Sequence, residues 1–309
     1  MSEPTHDSQQ RPATFGCRNL VIALLLLCAD TAVAQETSNF GDYWYQGKAE
    51  ITSYRLEQAR YGEMRQGDAV LIFVTEPFSQ SKQVKLDHPQ VAKADAVNVL
   101  KLNLTKKFTT GIYPYSMMMS TFTPIPRDDP WKVLKVTTSS QEWCGHTFTQ
   151  LNAGDDGYSA ELRSYFESEG DQELDLGKVL LEDSIWSLIR LSPIDLPTGE
   201  IEIVPGTLYQ RLSHQPLVVQ SAVATLAEQD DDLIRYRLHY PDLERTLIWT
   251  FERVFPHRIQ SWEETRKSGF GPSDEPLTTR ATLNKRILLE YWRYNSVADE
   301  TWRSEMGLD

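Results

Sequence analysis

The residues best equipped for chemistry are Glu142, Cys144 and His146, in the run Gln141-Glu142-Trp143-Cys144-Gly145-His146. Read as a strand, this run alternates its side chains, so all three project from one face. A carboxylate, a thiol and an imidazole are the types an activated thiolate needs: Cys144 as nucleophile, His146 as base, Glu142 as orienter. Side chains two apart on a strand stand about 6–7 Å apart at their bases. A direct Cys–His contact therefore needs a bulge, which Gly145 can supply. The competing reading is a small buried cysteine beside a satisfied histidine. A metal on the same trio would need a further ligand from elsewhere, and no metal site is expected.

A second candidate is Tyr113 to Phe122 (YPYSMMMSTF). Here Tyr113, Tyr115, Met117 and Met119 share one face of a strand, and soft side chains between aromatics suit an apolar ligand-binding groove. Core-facing methionine on a strand gives the same pattern. Asp155-Asp156 and Asp230-Asp231-Asp232 read as solvated hairpin tips without EF-hand spacing. Glu182-Asp183 reads as the wet side of a helix. His88, His214, His239 and His257 are scattered without ligand spacing. G-x-G-x-x-G, P-loop, H-E-x-x-H, C-x-x-C and G-x-S-x-G patterns do not occur, which removes the common nucleotide, zinc-protease and serine-hydrolase readings. No cofactor is expected.

The elements that must position these residues are mostly strands. Ile234, Tyr236, Leu238 and Tyr240 alternate with Arg235, Arg237 and His239, the pattern of a strand with one buried face. Pro241 to Glu244 reads as a turn, and Arg245 to Glu252 as the returning strand of a hairpin. Leu100, Leu102 and Leu104, and again Tyr158 to Phe166, show the same period. Ala69 to Thr75 (AVLIFVT) is continuous enough for a strand buried on both faces. Glu200–Val204, Leu217–Leu226 and Arg258–Thr265 add further strands. Leu176 to Leu191 reads as a helix ended by Pro193, and Ser296 with Asp299 as the capping box of a short C-terminal helix stopped at Gly307.

Strands without alternating helices predict a mainly β fold. The expected architecture is a large curved antiparallel sheet or open barrel with one central helix and a short C-terminal helix. Aromatic clusters near both ends, Tyr43-Trp44-Tyr45 and Tyr291-Trp292-Arg293-Tyr294, predict that the terminal strands pair; deletion of residues 288–309 should then unfold the domain.

Composition narrows the partners. The chain has 309 residues, 44 acids against 31 bases, and a formal charge of −13. That balance argues against nucleic acid and against anionic lipid held by charge. The 40% hydrophobic content is enough to build a core.

Leu20 to Ala29 is a ten-residue apolar run preceded by Arg11 and Arg18 and followed by Ala32-Val33-Ala34. These are the parts of a secretory signal peptide, and the run is shorter than the roughly 20 residues a membrane span needs. Residues 1–34 are read as that leader and 35–309 as a single β-rich domain without a membrane span. Cleavage would remove Cys17 and Cys28, leaving Cys144 as the one cysteine. Lipid anchoring at Cys28 is the minor alternative, because Leu27 stands where a lipoprotein box prefers a small residue.

From about Asp42 onward the chain resembles an uncharacterised family of exported bacterial proteins, often labelled "septum formation inhibitor Maf". Tyr43 to Arg60 (YWYQGKAEITSYRLEQAR), Leu100 to Tyr115 (LKLNLTKKFTTGIYPY), Gln141 to Gly145 (QEWCG), Leu196-Pro197-Thr198-Gly199 and Arg303 to Leu308 carry the resemblance. The Ser-x-Ser-Pro-Arg-Arg motif of the nucleotide pyrophosphatases bearing that label is absent, so the resemblance implies membership and export but no mechanism. Leu196 to Trp292 is also similar, at the level of fold, to periplasmic curved-sheet domains such as lipoprotein carriers. The function expected is an exported envelope protein that binds an apolar small molecule or an envelope protein on its curved sheet. A Cys144/His146 enzyme and a purely structural interaction module are the alternatives.

Overall fold

The computed structural model describes residues 1, 39–127, 129, 131–269 and 275–308. The expected leader, with Cys17 and Cys28, lies outside the described residues.

Among the described residues, sixteen strands form a single sheet. The first nine are β1 (Ala49–Arg60), β2 (Glu63–Ser79), β3 (Val84–Lys85), β4 (Ala96–Thr110), β5 (Tyr113–Ile125), β6 (Lys135–Glu142), β7 (Gly145–Ala153), β8 (Tyr158–Ser164) and β9 (Gln172–Leu176). The rest are β10 (Leu180–Leu181), β11 (Gly199–Val204), β12 (Gln220–Glu228), β13 (Leu233–Tyr240), β14 (Arg245–Glu252), β15 (Ile259–Arg266) and β16 (Leu277–Leu289). The order is β10-β11-β12-β13-β14-β15-β16-β1-β2-β4-β5-β6-β7-β8-β9, with β3 on β2.

The chain therefore starts in the middle of its own sheet. It winds outward from β1 to one edge at β9, crosses to the other edge at β10, and winds back until β16 meets β1. Ala49 lies opposite Leu289 and Glu57 opposite Arg280, so the terminal strands pair as expected. Ser53 Oγ donates to the Met306 carbonyl at 2.6 Å, which ties the C-terminal segment across this junction. The two terminal aromatic clusters lie at one end of the sheet. Within them the rings pack locally, Tyr43 on Trp44 and Tyr291 on Trp292, while Tyr43 also meets the distant Phe255.

Strand alternation explains the curl. Leu56, Leu71, Phe73, Leu102, Leu104, Trp249 and Phe251 all point to one face and are buried. Two short helices fill the hollow, α1 (Ile185–Leu191) and α2 (Thr207–Ser213). In α1 every residue from Ile185 to Arg190 is buried, so it is enclosed on all sides rather than laid on a surface. Its two polar residues are satisfied: Ser187 by Thr121, Arg190 by Glu50. Trp186 packs edge-on against Trp249 and Trp262 from the opposite wall.

Two expectations need correction, and one helix is additional. The helix expected over Leu176–Leu191 begins only at Ile185, because Leu176 ends β9 and Leu180-Leu181 pair in parallel with Ile203-Val204. The strand expected from Leu217 begins at Gln220. Helix α2 was not expected; after Gly206 its seven residues are too few to show a period. The C-terminal helix (α3, Thr301–Glu305) follows the capping box at Ser296 and Asp299, and Gly307 closes it with a φ of +63°.

The sheet nearly closes on itself. After β9 the chain turns at Gly177 and joins the opposite edge within four residues, leaving a seam between β9 and β11. Gly157 holds this turn. Its φ is +138°, and a Cβ there would lie 2.1 Å from the Leu176 carbonyl oxygen. Gly157→Ala therefore combines strain with a backbone collision; a loss of roughly 2–3 kcal/mol is expected in urea unfolding. An unchanged midpoint would mean that the seam turn is not formed.

Candidate functional site

The seam opens into a cavity of about 750 Å³. That is within the size range of small-molecule sites. Val97, Leu134, Tyr158, Val179, Leu180 and Ile201 supply apolar walls, and Lys132 and Lys178 stand at its rim with Asp129, Asp155 and Glu202. One wall is braced: Trp131 Nε1 donates to the Asp195 carbonyl at 2.8 Å, and Arg127 pairs with the Asp195 carboxylate at 2.8 Å. Leu180, in the two-residue β10, is part of its lining.

Deeper inside, charged groups gather where the apolar core should continue. Arg245 grips Glu182 with Nη1 and Nη2 at 2.5 and 2.8 Å and Glu264 with Nε at 2.6 Å. The Tyr240 hydroxyl donates to Glu182 at 2.6 Å, and the Tyr209 ring covers the guanidinium at 4.0 Å. Asp183 accepts from the Thr207 amide at 3.1 Å and the Thr207 hydroxyl at 2.9 Å. It thus caps α2 from outside the helix. Gly206 makes room for this: a Cβ there would sit 2.5 Å from Glu182 Oε1.

Burial and neighbours drive these carboxyls apart. Burial, then the Glu182 charge, push Asp183 up to about 7. Glu264 is equally buried, which raises it, yet Arg245, Arg266 and Lys106 hold it at about 2. Burial lowers the Lys106 ammonium. Lys106 lines a small pocket of about 30 Å³ together with Glu182, Asp183 and Glu264. That volume is on the scale of a water molecule and too small for a substrate, so this cluster organises the interior rather than meeting a ligand.

The residues singled out from the sequence fall elsewhere. Gln141 to His146 is not one strand: β6 ends at Glu142, β7 begins at Gly145, and Trp143-Cys144 is the turn. Gln141 lies opposite His146, so the shared face expected for Glu142, Cys144 and His146 does not form. Cys144 is exposed and its amide donates to Glu142 at 2.6 Å. Its thiol also bonds Glu142, which raises its pKa and opposes thiolate formation. Glu142 instead turns toward Arg211 at 3.5 Å. Met117 and Met119 are in the packed core, as is Tyr115, which is hydrogen-bonded to Arg60 and Tyr61. Tyr113 is half-buried at the start of β5. Met119 borders the small interior pocket beside Lys106. Glu182 and Asp183, expected on the wet side of a helix, are buried at the centre of the ion cluster.

One signal could have revealed the cluster. Lys106 follows Leu100, Leu102 and Leu104 at the same parity; Arg245 precedes Leu247, Trp249 and Phe251; Glu264 and Arg266 follow Trp262. Strand alternation alone sends these charges inward.

The fold and its seam define a β-rich, barrel-like protein with a lateral cavity. No family model matches the chain, and no curated protein matches it. Among solved structures it is similar to a beta-barrel-like protein of a domain of unknown function, DUF1849, from Brucella abortus. The identity is 10% and the TM-score 0.44, over 78% of this chain and 98% of that one.

Proposed function

We propose that this chain is an exported, non-enzymatic protein of the cell envelope that takes an apolar ligand into the seam cavity. The observation that carries the reading is the cavity itself: about 750 Å³, with apolar walls, lysines at its rim, and a wall held by the Trp131 and Arg127 contacts to Asp195. Export rests on the leader pattern of residues 1–34 and on the resemblance to exported bacterial proteins. The Cys144 enzyme gains no support, since Glu142 stabilises the neutral thiol.

Native mass spectrometry of protein purified without detergent tests the binding. Masses above that of the bare chain are expected, together with binding of a hydrophobic dye that competes with the retained ligand. Ile201→Glu places a charge in the wall and is expected to weaken dye binding at least tenfold, about 1.4 kcal/mol. A chain that is always bare and binds no dye overturns the reading.

A further inference from the structure

At the end of the barrel opposite the seam cavity, three neighbouring two-residue turns stand in a row: Tyr61-Gly62 between β1 and β2, Gly111-Ile112 between β4 and β5, and Trp143-Cys144 between β6 and β7. Such turns favour Asn, Asp and Gly, because the backbone takes positive φ. Gly62 and Gly111 supply it here with φ of 74° and 58°, and longer turns elsewhere, at Asp155-Asp156, Asp230 to Asp232 and Pro241 to Glu244, are acidic. In the row none of the six residues is charged. Ile112 is 81% exposed and Trp143 69%. Turn geometry does not ask for either side chain, and neither is buried in the core.

Neighbours extend the row. The Tyr113 and Trp143 rings lie 6.5 Å apart. Tyr165, 71% exposed just after β8, lies against Gly145, where a Cβ would come within 2.6 Å of its ring. Beside the row Arg65 pairs with Glu63 and Glu142 with Arg211, while the exposed acids Glu167 and Asp171 follow Tyr165. A chain with a formal charge of −13 thus carries a row of uncharged turns with exposed Ile, Trp and Tyr at one end.

Trp and Tyr concentrate at the boundary between lipid headgroups and acyl chains, where an apolar ring and a polar edge are both satisfied. An acidic protein is repelled by anionic lipid, so the row of uncharged turns matches a neutral surface. We propose that this end of the barrel seats on a zwitterionic lipid surface, with Ile112, Trp143 and Tyr165 entering the headgroup region. The inference uses the opposite end from the seam cavity and stands whether or not that cavity is filled.

The exposed Cys144 supplies the probe. The full chain with Cys17→Ser and Cys28→Ser, carrying an environment-sensitive fluorophore on Cys144, is titrated with phosphatidylcholine vesicles. A blue shift with increased emission is expected at millimolar lipid, since three side chains bind more weakly than one myristoyl chain, whose constant is about 10⁴ M⁻¹. Adding phosphatidylglycerol to the vesicles should weaken the response. Ile112→Ser with Trp143→Ser should reduce apparent partitioning at least tenfold; circular dichroism and melting verify that the doubly substituted chain stays folded. Absence of a shift with neutral vesicles overturns the proposal. A shift that survives the double substitution, or one seen only when an envelope protein fraction replaces the vesicles, overturns it equally.

Discussion

Replacing Arg245 with methionine is expected to cost roughly 3–5 kcal/mol of folding stability, a large share of the 5–15 kcal/mol typical of a domain. Arg245 is buried and satisfies two carboxylates at once, Glu182 in bidentate fashion and Glu264 through Nε. Without it both acids remain in the interior, with Lys106 and Arg266 as the cations left beside them. The loss is therefore the desolvation of charges left behind, not the strength of the pair that was removed. Two consequences separate this from simple loss of packing. First, Glu264 is held at about 2 largely by Arg245, so its carboxyl rises in the variant and part of the lost stability returns as pH falls toward 5. Second, adding Glu182→Met to Arg245→Met should recover part of the loss, because an apolar replacement for a buried pair is often close to neutral. Urea midpoints at pH 5 and pH 8 for the single and double variants check both. A double variant less stable than Arg245→Met would show that Glu182 holds the interior by other contacts.

The same cluster shows how far the sequence could be read. Antiparallel strands, the turns at Pro241 and Asp155, the pairing of the chain ends and the capping box at Ser296 all follow from signals local to a few residues. What escaped were features that need two distant segments. Lys106, Arg245 and Glu264 were inward by parity, but nothing local says that charges from β4, β14 and β15 will meet. Glu182-Asp183 looked like a wet helical face because its partners, Arg245 and Thr207, are 63 and 24 positions away. The seam cavity was invisible for a related reason: its walls come from distant segments, Val97, Leu134, Tyr158, Leu180 and Ile201. Cys144 was misplaced by a local ambiguity. Gln141 to His146 alternates as a strand does, but Trp143-Cys144 lacks the Asn or Gly that usually marks a two-residue turn. The departure from turn chemistry that hid the hairpin is the same one that exposes Trp143 in the row of uncharged turns.

Asp183→Asn is expected to remove a pH dependence of folding that the parent chain carries between about pH 4 and 7. Burial and the Glu182 charge push the Asp183 carboxyl up to about 7, against 3.8 for the unperturbed group. Between those values the folded chain keeps a proton that the unfolded chain has released. Stability from this group is therefore greatest below pH 4, falls as pH rises to 7, and is level above it. The full span corresponds to at most about 4 kcal/mol, at roughly 1.4 kcal/mol for each pH unit. The charged groups facing Asp183 are Glu182 on its own segment and Arg245 across the interior, with Lys106 and Glu264 around the small cavity they share. Asparagine is neutral throughout and keeps an oxygen for the Thr207 amide, so the cap on α2 survives while the buried charge disappears. At pH 8 the variant should be at least as stable as the parent, and at pH 5 no more stable. Leucine at the same position removes the cap as well, leaving the Thr207 amide and hydroxyl without their acceptor, and should destabilise at every pH. Parallel pH profiles for the parent and Asp183→Asn would mean that Asp183 is ionised at neutral pH, and that the neighbouring cations stabilise its charge more than burial opposes it.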